Sequence, residues 1–438
     1  MLSILLCKAL CFLGEKLGRG SSLPGAIALK LSPNILSKIK LPDTVIAVTG
    51  SNGKTSLTEL LRVAAKAAGK RVVCNSEGSN QIEGVTTALL KSCNLKGEVQ
   101  ADVAILESDE RFCQYTFKHF TPDYIVVTNL FRDQLTRNGN SEYVLGEVKK
   151  GIPSKSKLIL NADDPVSASL GFGRENVSYY CVEPDAIKEG DARRHAYDDG
   201  AFCPVCKSEM SYSWRIFSHL GAYRCKKCGF KREKPAHSVT GVKNGEFILD
   251  KKYAIKPQLL NNVFAYNIAA AFSVATDILG LSPETAAGAL SGYKLTNERI
   301  REFTVNGHRG LFLLSKHENS ISYDSSLSTI VNSDSDEITV VVIVDLLSRK
   351  YIANDMSWLW DIDFNLLCDK RIKNIILSGG FANDLAARLL FSGVDESALS
   401  VEPDLDKMMD LLYKKAAGDV FVMTCFTDVN KFTGRLRG

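Results

Sequence analysis

A chain of 438 residues is too long for one hydrophobic core and implies roughly two or three domains. Its net charge of +4 is spread over intermixed acids and bases, which argues against a nucleic-acid footprint. Twelve cysteines, four of them clustered in a long enzyme-like chain, point to a reducing cytoplasmic setting rather than a secreted disulfide scaffold.

The stretch Met1 to Leu13 is apolar but too short to span a bilayer, and Lys8 interrupts it. No small-residue cleavage site precedes Glu15 and Lys16. Leu2, Leu5, Leu6, Leu10 and Leu13 share one helical face, which predicts a helix docked on the body, with peripheral contact at a membrane surface as the alternative.

Thr44–Thr49 then reads as a hydrophobic strand that stops at a turn containing Gly50, Asn52 and Gly53. The chain reopens as a helix over Leu57–Lys66, behind Lys54, Thr55 and Ser56. That order builds a phosphate cradle, because glycine lets the backbone approach an anion and the first N–H groups of a helix attract it. Lys54 would neutralise the β- and γ-phosphates of a nucleotide and Thr55 would ligate Mg²⁺. Val48 stands where a full Walker A has its first glycine, and an ordinary glycine turn is the plain alternative.

Arg71–Cys74, Val103–Glu107, Tyr124–Thr128, Lys157–Leu160 and Ser178–Val182 are short β-branched or aliphatic runs, several of them separated by helix-length segments. They predict an α/β fold with a doubly wound, mostly parallel sheet. Glu107 ends one of these strands at the carboxyl edge, where ligands bind, and is either a second Mg²⁺ ligand or a solvated strand end. Asn161-Ala-Asp-Asp-Pro165 lies at the same edge and alone reads as a turn.

Between Asp198 and Ser238 the rhythm breaks. Cys203-Pro-Val-Cys206 and Cys225-Lys-Lys-Cys228 are two knuckles at zinc-ribbon spacing, and four thiolates make a closed tetrahedral site for structural Zn²⁺. A redox pair is the alternative. A helix over Phe264–Leu279 closes the first unit. A second βα series starts near Phe303, with strands Thr339–Val344, Asn374–Leu377 and Asp419–Thr424 and helices Phe381–Phe391 and Leu405–Lys415. The expected division is an N-terminal helical segment at 1–42, a central domain at 43–297 with the ribbon inserted at 198–235, and a smaller α/β domain at 298–438.

Thr49-Gly-Ser-Asn-Gly-Lys-Thr-Ser56, Glu107, Thr128-Asn129, Asn161-Ala-Asp-Asp-Pro165 and Asn262-Val-Phe-Ala-Tyr-Asn-Ile-Ala-Ala270 together resemble the Mur ligases, which activate a carboxylate with ATP. The resemblance is stronger to the branch that supplies the synthetase subunit of lipid II isoglutaminyl synthase. Gln134 replaces the histidine usual in amino-acid-adding members, Cys203 to Phe230 matches the four-cysteine ribbon, and Asp355-Met-Ser-Trp-Leu-Trp-Asp361 matches a C-terminal signature.

The resemblance implies a Mur ligase-like ATP-binding central domain in which Gly50, Asn52, Gly53, Lys54, Thr55 and Ser56 bind the triphosphate and Glu107 meets the metal. It also implies that Asn267 reaches the adenine, Arg299 contacts the nucleotide from the hinge near Thr296 to Arg301, and Asn80 lies at the edge of the site. Asp355 would complete a triad in a glutaminase partner, GatD, within a heterodimer. The implied reaction is amidation of the D-glutamate α-carboxyl of lipid II, with ATP, Mg²⁺ and Zn²⁺ as cofactors.

Three departures stand out: Lys316-His-Glu-Asn-Ser320 in place of a Lys-Asn-Pro loop, Glu298 before Arg299, and Ala353-Asn354 before Asp355. The rival functions are a Mur-type ligase that adds an amino acid and a zinc-ribbon binding module switched by nucleotide.

Overall fold

The computed structural model describes residues 1–16, 21–75, 79–132, 139–186, 198–257, 262–291, 293, 300–315, 319–345, 355–425 and 428–436. The chain divides into two compact units near Leu295 and Thr296. The first unit holds β1 (Thr44–Thr49), β2 (Val72–Cys74), β3 (Val103–Glu107), β4 (Tyr124–Val127), β5 (Lys157–Asn161) and β6 (Val177–Val182). A hairpin of β7 (Ser211–Phe217) and β8 (Leu220–Arg224) follows, and then β9 (His237–Lys243), β10 (Glu246–Leu249) and β11 (Tyr253–Ile255).

Among the described residues the main sheet runs β11-β10-β9-β6-β5-β4-β1-β3-β2. It is parallel from β2 to β9 and antiparallel through β9, β10 and β11. From β1 the chain fills one flank with β2 and β3 and then crosses to β4. The strand order therefore reverses beside β1, and ligand crevices form outside the carboxyl ends of strands at such a point. Val45 to Val48 are all buried, as an apolar run in a parallel sheet requires. The β9–β11 meander was not predicted, because half-exposed strands such as His237–Lys243 alternate with polar residues and merge with the end of the ribbon.

Helices Leu2–Lys16 and Leu23–Leu31 pack on helix Ile82–Ser92. The docking face is Ile4, Cys7 and Cys11 rather than the predicted leucine stripe, and Leu2, Leu5 and Leu13 point outward with Phe12. Small cysteines permit the close approach. At Gly25 the approach is closer still: a Cβ there would run into the Glu83 carbonyl, and the Gly25 N–H donates to Thr87 Oγ1 at 2.9 Å.

The second unit contains β12 (Ile300–Val305), β13 (His308–Ser315), β14 (Ile338–Ile343), β15 (Ile372–Ser378), β16 (Leu399–Val401) and β17 (Asp419–Cys425). Their order is β12-β13-β17-β14-β15-β16, parallel except for the β12–β13 hairpin. Alternation along β14 divides the core. Val340 and Val342 meet Trp358, Leu385 and Leu389 on one face, while Val341 and Ile343 meet Met408 and Leu412 on the other. The hairpin turn is Asn306-Gly307, both with positive φ, the conformation by which an Asn-Gly pair marks a hairpin in a sequence.

Candidate nucleotide and metal sites

The turn after β1 builds the site. Gly50 and Gly53 have φ of 128° and 86°, where L-residues are strained. A Cβ on Gly50 would collide with Thr128 Oγ1, and one on Gly53 would come within 2.6 Å of Asn267 Oδ1. Gly53 precedes helix Lys54–Ala67 and supplies no side-chain cap. The N–H groups of Lys54, Thr55 and Ser56 thus lack intrahelical acceptors and sit at the positive end of the helix dipole. The helix starts a turn earlier than the predicted Leu57, which brings Thr55 and Ser56 into its first turn.

The loop itself is tied to the chain beyond β4. The Ser51 N–H donates to the Asn129 carbonyl at 2.8 Å, and the Asn52 N–H donates to Asn129 Oδ1 at 3.0 Å. Asn129 Nδ2 returns a bond to the Asn52 carbonyl at 3.1 Å. The Ser51 hydroxyl donates to the Phe131 carbonyl at 3.1 Å and accepts from the Phe131 N–H at 3.0 Å. With the amides of Ser51 and Asn52 engaged, the donors that could meet an anion are those of the helix's first turn and the Lys54 side chain.

Lys54 is buried, and its ammonium donates to Glu110 Oε2 at 2.7 Å and to the Gly50 carbonyl. Burial pulls its pKa down, but the carboxylates of Glu110, Asp109 and Glu107 outweigh burial and hold it above its ordinary value. Glu107 closes β3. Its Oε1 accepts from Asn80 Nδ2 at 3.3 Å, while its buried Oε2 has no hydrogen-bond partner among the described residues. Asn75 fixes the Glu107 backbone with bonds of 2.8 Å to both N–H and carbonyl, and the Asn80 carbonyl accepts from the Asp109 N–H at 2.8 Å. An orphaned buried carboxylate oxygen is costly, and a hard cation satisfies it, so this donor set fits Mg²⁺.

The four predicted cysteines converge, with every sulfur within 4.8 Å of the others. Cys203 and Cys228 lie 3.7 Å apart and Cys206 and Cys225 3.5 Å apart. Thiolates at about 2.3 Å from one tetrahedral zinc would be separated by about 3.8 Å, so the cluster fits a closed four-sulfur site. Each knuckle turns through a left-handed residue, Lys207 after Cys206 and Gly229 after Cys228.

Gly50, Asn52, Gly53, Lys54, Thr55 and Ser56 thus lie on the turn and helix start after β1, Glu107 ends the neighbouring β3 with Asn80 bonded to it, and Asn267 lies beside Gly53, on the phosphate loop. Arg299 and Gln134 lie outside the described residues, as do Lys316 to Glu318, Ala353 and Asn354. Asp355 is exposed in the second unit, where its Oδ1 accepts from the Ser357 N–H at 2.8 Å. That backbone bond holds its pKa below the usual carboxylate value. Sequence reasoning missed Glu110, although its neighbours in Glu107-Ser-Asp-Glu110 marked a dense acidic strand end.

A phosphate cradle at the switch point of a parallel sheet, followed by a second α/β unit, defines a P-loop nucleotide-binding enzyme. Residues 48–275 match the Mur ligase middle domain and residues 316–429 the MurT ligase C-terminal domain. The MurT subunit of lipid II isoglutaminyl synthase from Staphylococcus aureus (strain COL) is 30% identical over 395 residues, covering 89% of this chain and 86% of that protein. The MurT subunit from Streptococcus pneumoniae is 26% identical over 443 residues, covering 96% and 93%. In fold, the chain is similar to a pseudomurein peptide ligase type C from Methanothermus fervidus, with a TM-score of 0.67 and 21% identity over 91% of this chain and 79% of that one. The chain belongs to the MurT family of Mur ligases and is a ligase. ATP and Mg²⁺ use go with that fold, and MurT proteins are named as subunits of a complex. Among the described residues no helix is long and apolar enough to cross a membrane.

Proposed function

We propose that the chain is the synthetase subunit of a lipid II isoglutaminyl synthase, amidating the D-glutamate α-carboxyl of the stem peptide with ammonia from a glutaminase subunit, GatD. The observation that carries this reading is the buried Lys54 ammonium at the start of the Lys54–Ala67 helix, paired with Glu110 and within reach of the Glu107 charge, while Glu107 Oε2 has no hydrogen-bond partner among the described residues. The triphosphate would be held by the first-turn N–H groups and Lys54, with Asn267 beside the phosphate loop and Asn80 at the site's edge; a nucleotide contact from Arg299 is carried by family resemblance alone. Thr55 and Glu107 would hold Mg²⁺, which when bound would neutralise charge on the phosphate oxygens.

A carboxylate oxygen of the substrate attacks the γ-phosphorus and ADP leaves. Lys54 disperses the charge on the transferred phosphoryl group. Ammonia then attacks the acyl carbon of the acyl phosphate, inorganic phosphate leaves, and the nitrogen gives up a proton to become the amide. In the second unit, Asp355 orients a histidine of the glutaminase. Cys203, Cys206, Cys225 and Cys228 hold one structural zinc. The outward Leu2, Leu5, Phe12 and Leu13 suit shallow contact with the cytoplasmic membrane face, where a lipid-linked substrate resides.

Incubating the chain with the glutaminase, glutamine, ATP and lipid II tests the reading. Amidated lipid II and ADP are expected; product carrying an added amino acid would replace it with the amino-acid ligase, and nucleotide binding without turnover would replace it with the binding module.

A further inference from the structure

The Asn161-Ala-Asp-Asp-Pro165 motif after β5 lies where the ribbon meets the nucleotide loop. Asp163 and Asp164 are both fully buried. Asp164 Oδ1 is 3.1 Å from His219 Nε2, and His219 belongs to the turn of the β7–β8 hairpin; Asp164 Oδ2 accepts from the Leu130 N–H at 2.8 Å. The His219 ring also packs on Phe131 at 4.4 Å between centroids, and Phe131 exchanges hydrogen bonds with Ser51 in the phosphate loop.

A second route leaves the same motif. Asp163 Oδ1 accepts from Arg232 Nε at 2.6 Å, just beyond the second knuckle, and Oδ2 accepts from Tyr266 OH at 2.9 Å. Tyr266 adjoins Asn267, whose amide lies against Gly53. The Asp163 carbonyl also accepts from the Gly221 N–H in β8 at 2.8 Å. Two adjacent buried carboxylates thereby join the four-cysteine insert to both ends of the Gly50–Gly53 turn through hydrogen bonds, a ring contact and the packing of Asn267 on Gly53.

We propose that Asp163 and Asp164 form a hub through which the ribbon holds the phosphate loop in its anion-binding shape, with His219 and Arg232 as positioning residues. The ribbon is then part of the nucleotide site's scaffold rather than a separate appendage. The inference rests on the nucleotide and zinc reading above, and its test separates the two.

The full zinc-loaded chain is compared with His219→Ala and His219→Gln by calorimetric titration with Mg·ADP, with zinc measured in each sample. The expected result is a roughly tenfold higher Kd for His219→Ala with one zinc retained, and recovery of most of the loss by His219→Gln, whose side-chain amide can still donate to Asp164. Affinity within about twofold of wild type in His219→Ala would overturn the hub. A second arm uses the nucleotide-free wild type: chelating the zinc should speed amide hydrogen exchange at residues 50–57 and 128–131, but not in β13 or β17. Changes confined to 203–230 would overturn the proposal even if His219→Ala failed to fold. A wild-type chain that binds no ADP would sink the nucleotide reading, and a zinc-free one the zinc reading; the exchange of 50–57 in His219→Gln against His219→Ala would then decide the hub.

Discussion

Lys54 stays charged in a buried position because three carboxylates outweigh its desolvation, and this decides what its loss does. Lys54→Ala should abolish amidation, and it should also destabilise the chain by about 3 kcal/mol, because it breaks the buried Lys54–Glu110 ion pair. Adding Glu110→Gln should restore most of the stability and none of the activity. Amidation within about tenfold of wild type, or about 1.4 kcal/mol, would remove Lys54 from the reaction. Asp163 makes a pH-dependent contribution. Burial pushes its pKa from 3.8 up to about 6, against the pull of Arg232. The folded chain therefore binds this proton more tightly than the unfolded one, so the group's cost is present above pH 6 and is relieved as pH falls towards 4. Relative to Asp163→Asn, the wild type should gain about 1 kcal/mol of stability between about pH 7.5 and pH 5, measured by denaturant unfolding; parallel pH curves would contradict the shift. Lys54 and Glu107 were legible in the sequence because a strand edge and a glycine turn place them. Glu110 and the hub aspartates were not, since their roles depend on partners 56 and 69 residues away.

The ribbon is the element whose sequence signal was plainest, since two C-x-x-C turns carry their own geometry. Replacing Cys203 or Cys225 by Ser should release the zinc and destabilise the insert, while the second unit's unfolding is unchanged; metal analysis with limited proteolysis at 198–236 reads both. A zinc-free wild type with an intact insert would contradict the assignment. How the ribbon is fastened was hidden, because His219 is one histidine in a turn and only the fold sets it against Asp164 and Phe131. The buried strands β1, β3, β14 and β17 announced themselves as unbroken apolar runs. The β9–β11 meander did not, because a strand with one wet face is diluted by polar residues. Helix Leu2–Lys16 was recognised, but its docking face was misassigned to leucines when Ile4, Cys7 and Cys11 make the contact.

At the scale of the whole molecule the candidate residues fall on two sheets: β1 and β3 in the first unit carry the Gly50–Gly53 turn and Glu107, and the second unit carries Asp355 on an exposed turn ahead of the buried Trp358. The order of these units was readable from the alternation of strands and helices. The role proposed for Asp355 was not readable from its surroundings, because the bonds described for it are local ones to Ser357; it comes from family resemblance. The most direct test of the account is therefore amidation of lipid II by the reconstituted pair with glutamine or with free ammonium as nitrogen donor, for wild type and Asp355→Asn. One ADP per amide is expected for the wild type, with a strong loss for Asp355→Asn with glutamine and recovery of much of the product with ammonium, because the site proposed at the Gly50–Gly53 turn and Lys54 lies on other residues. ADP release without amide in the wild type, or equal loss with both donors in Asp355→Asn, would contradict it.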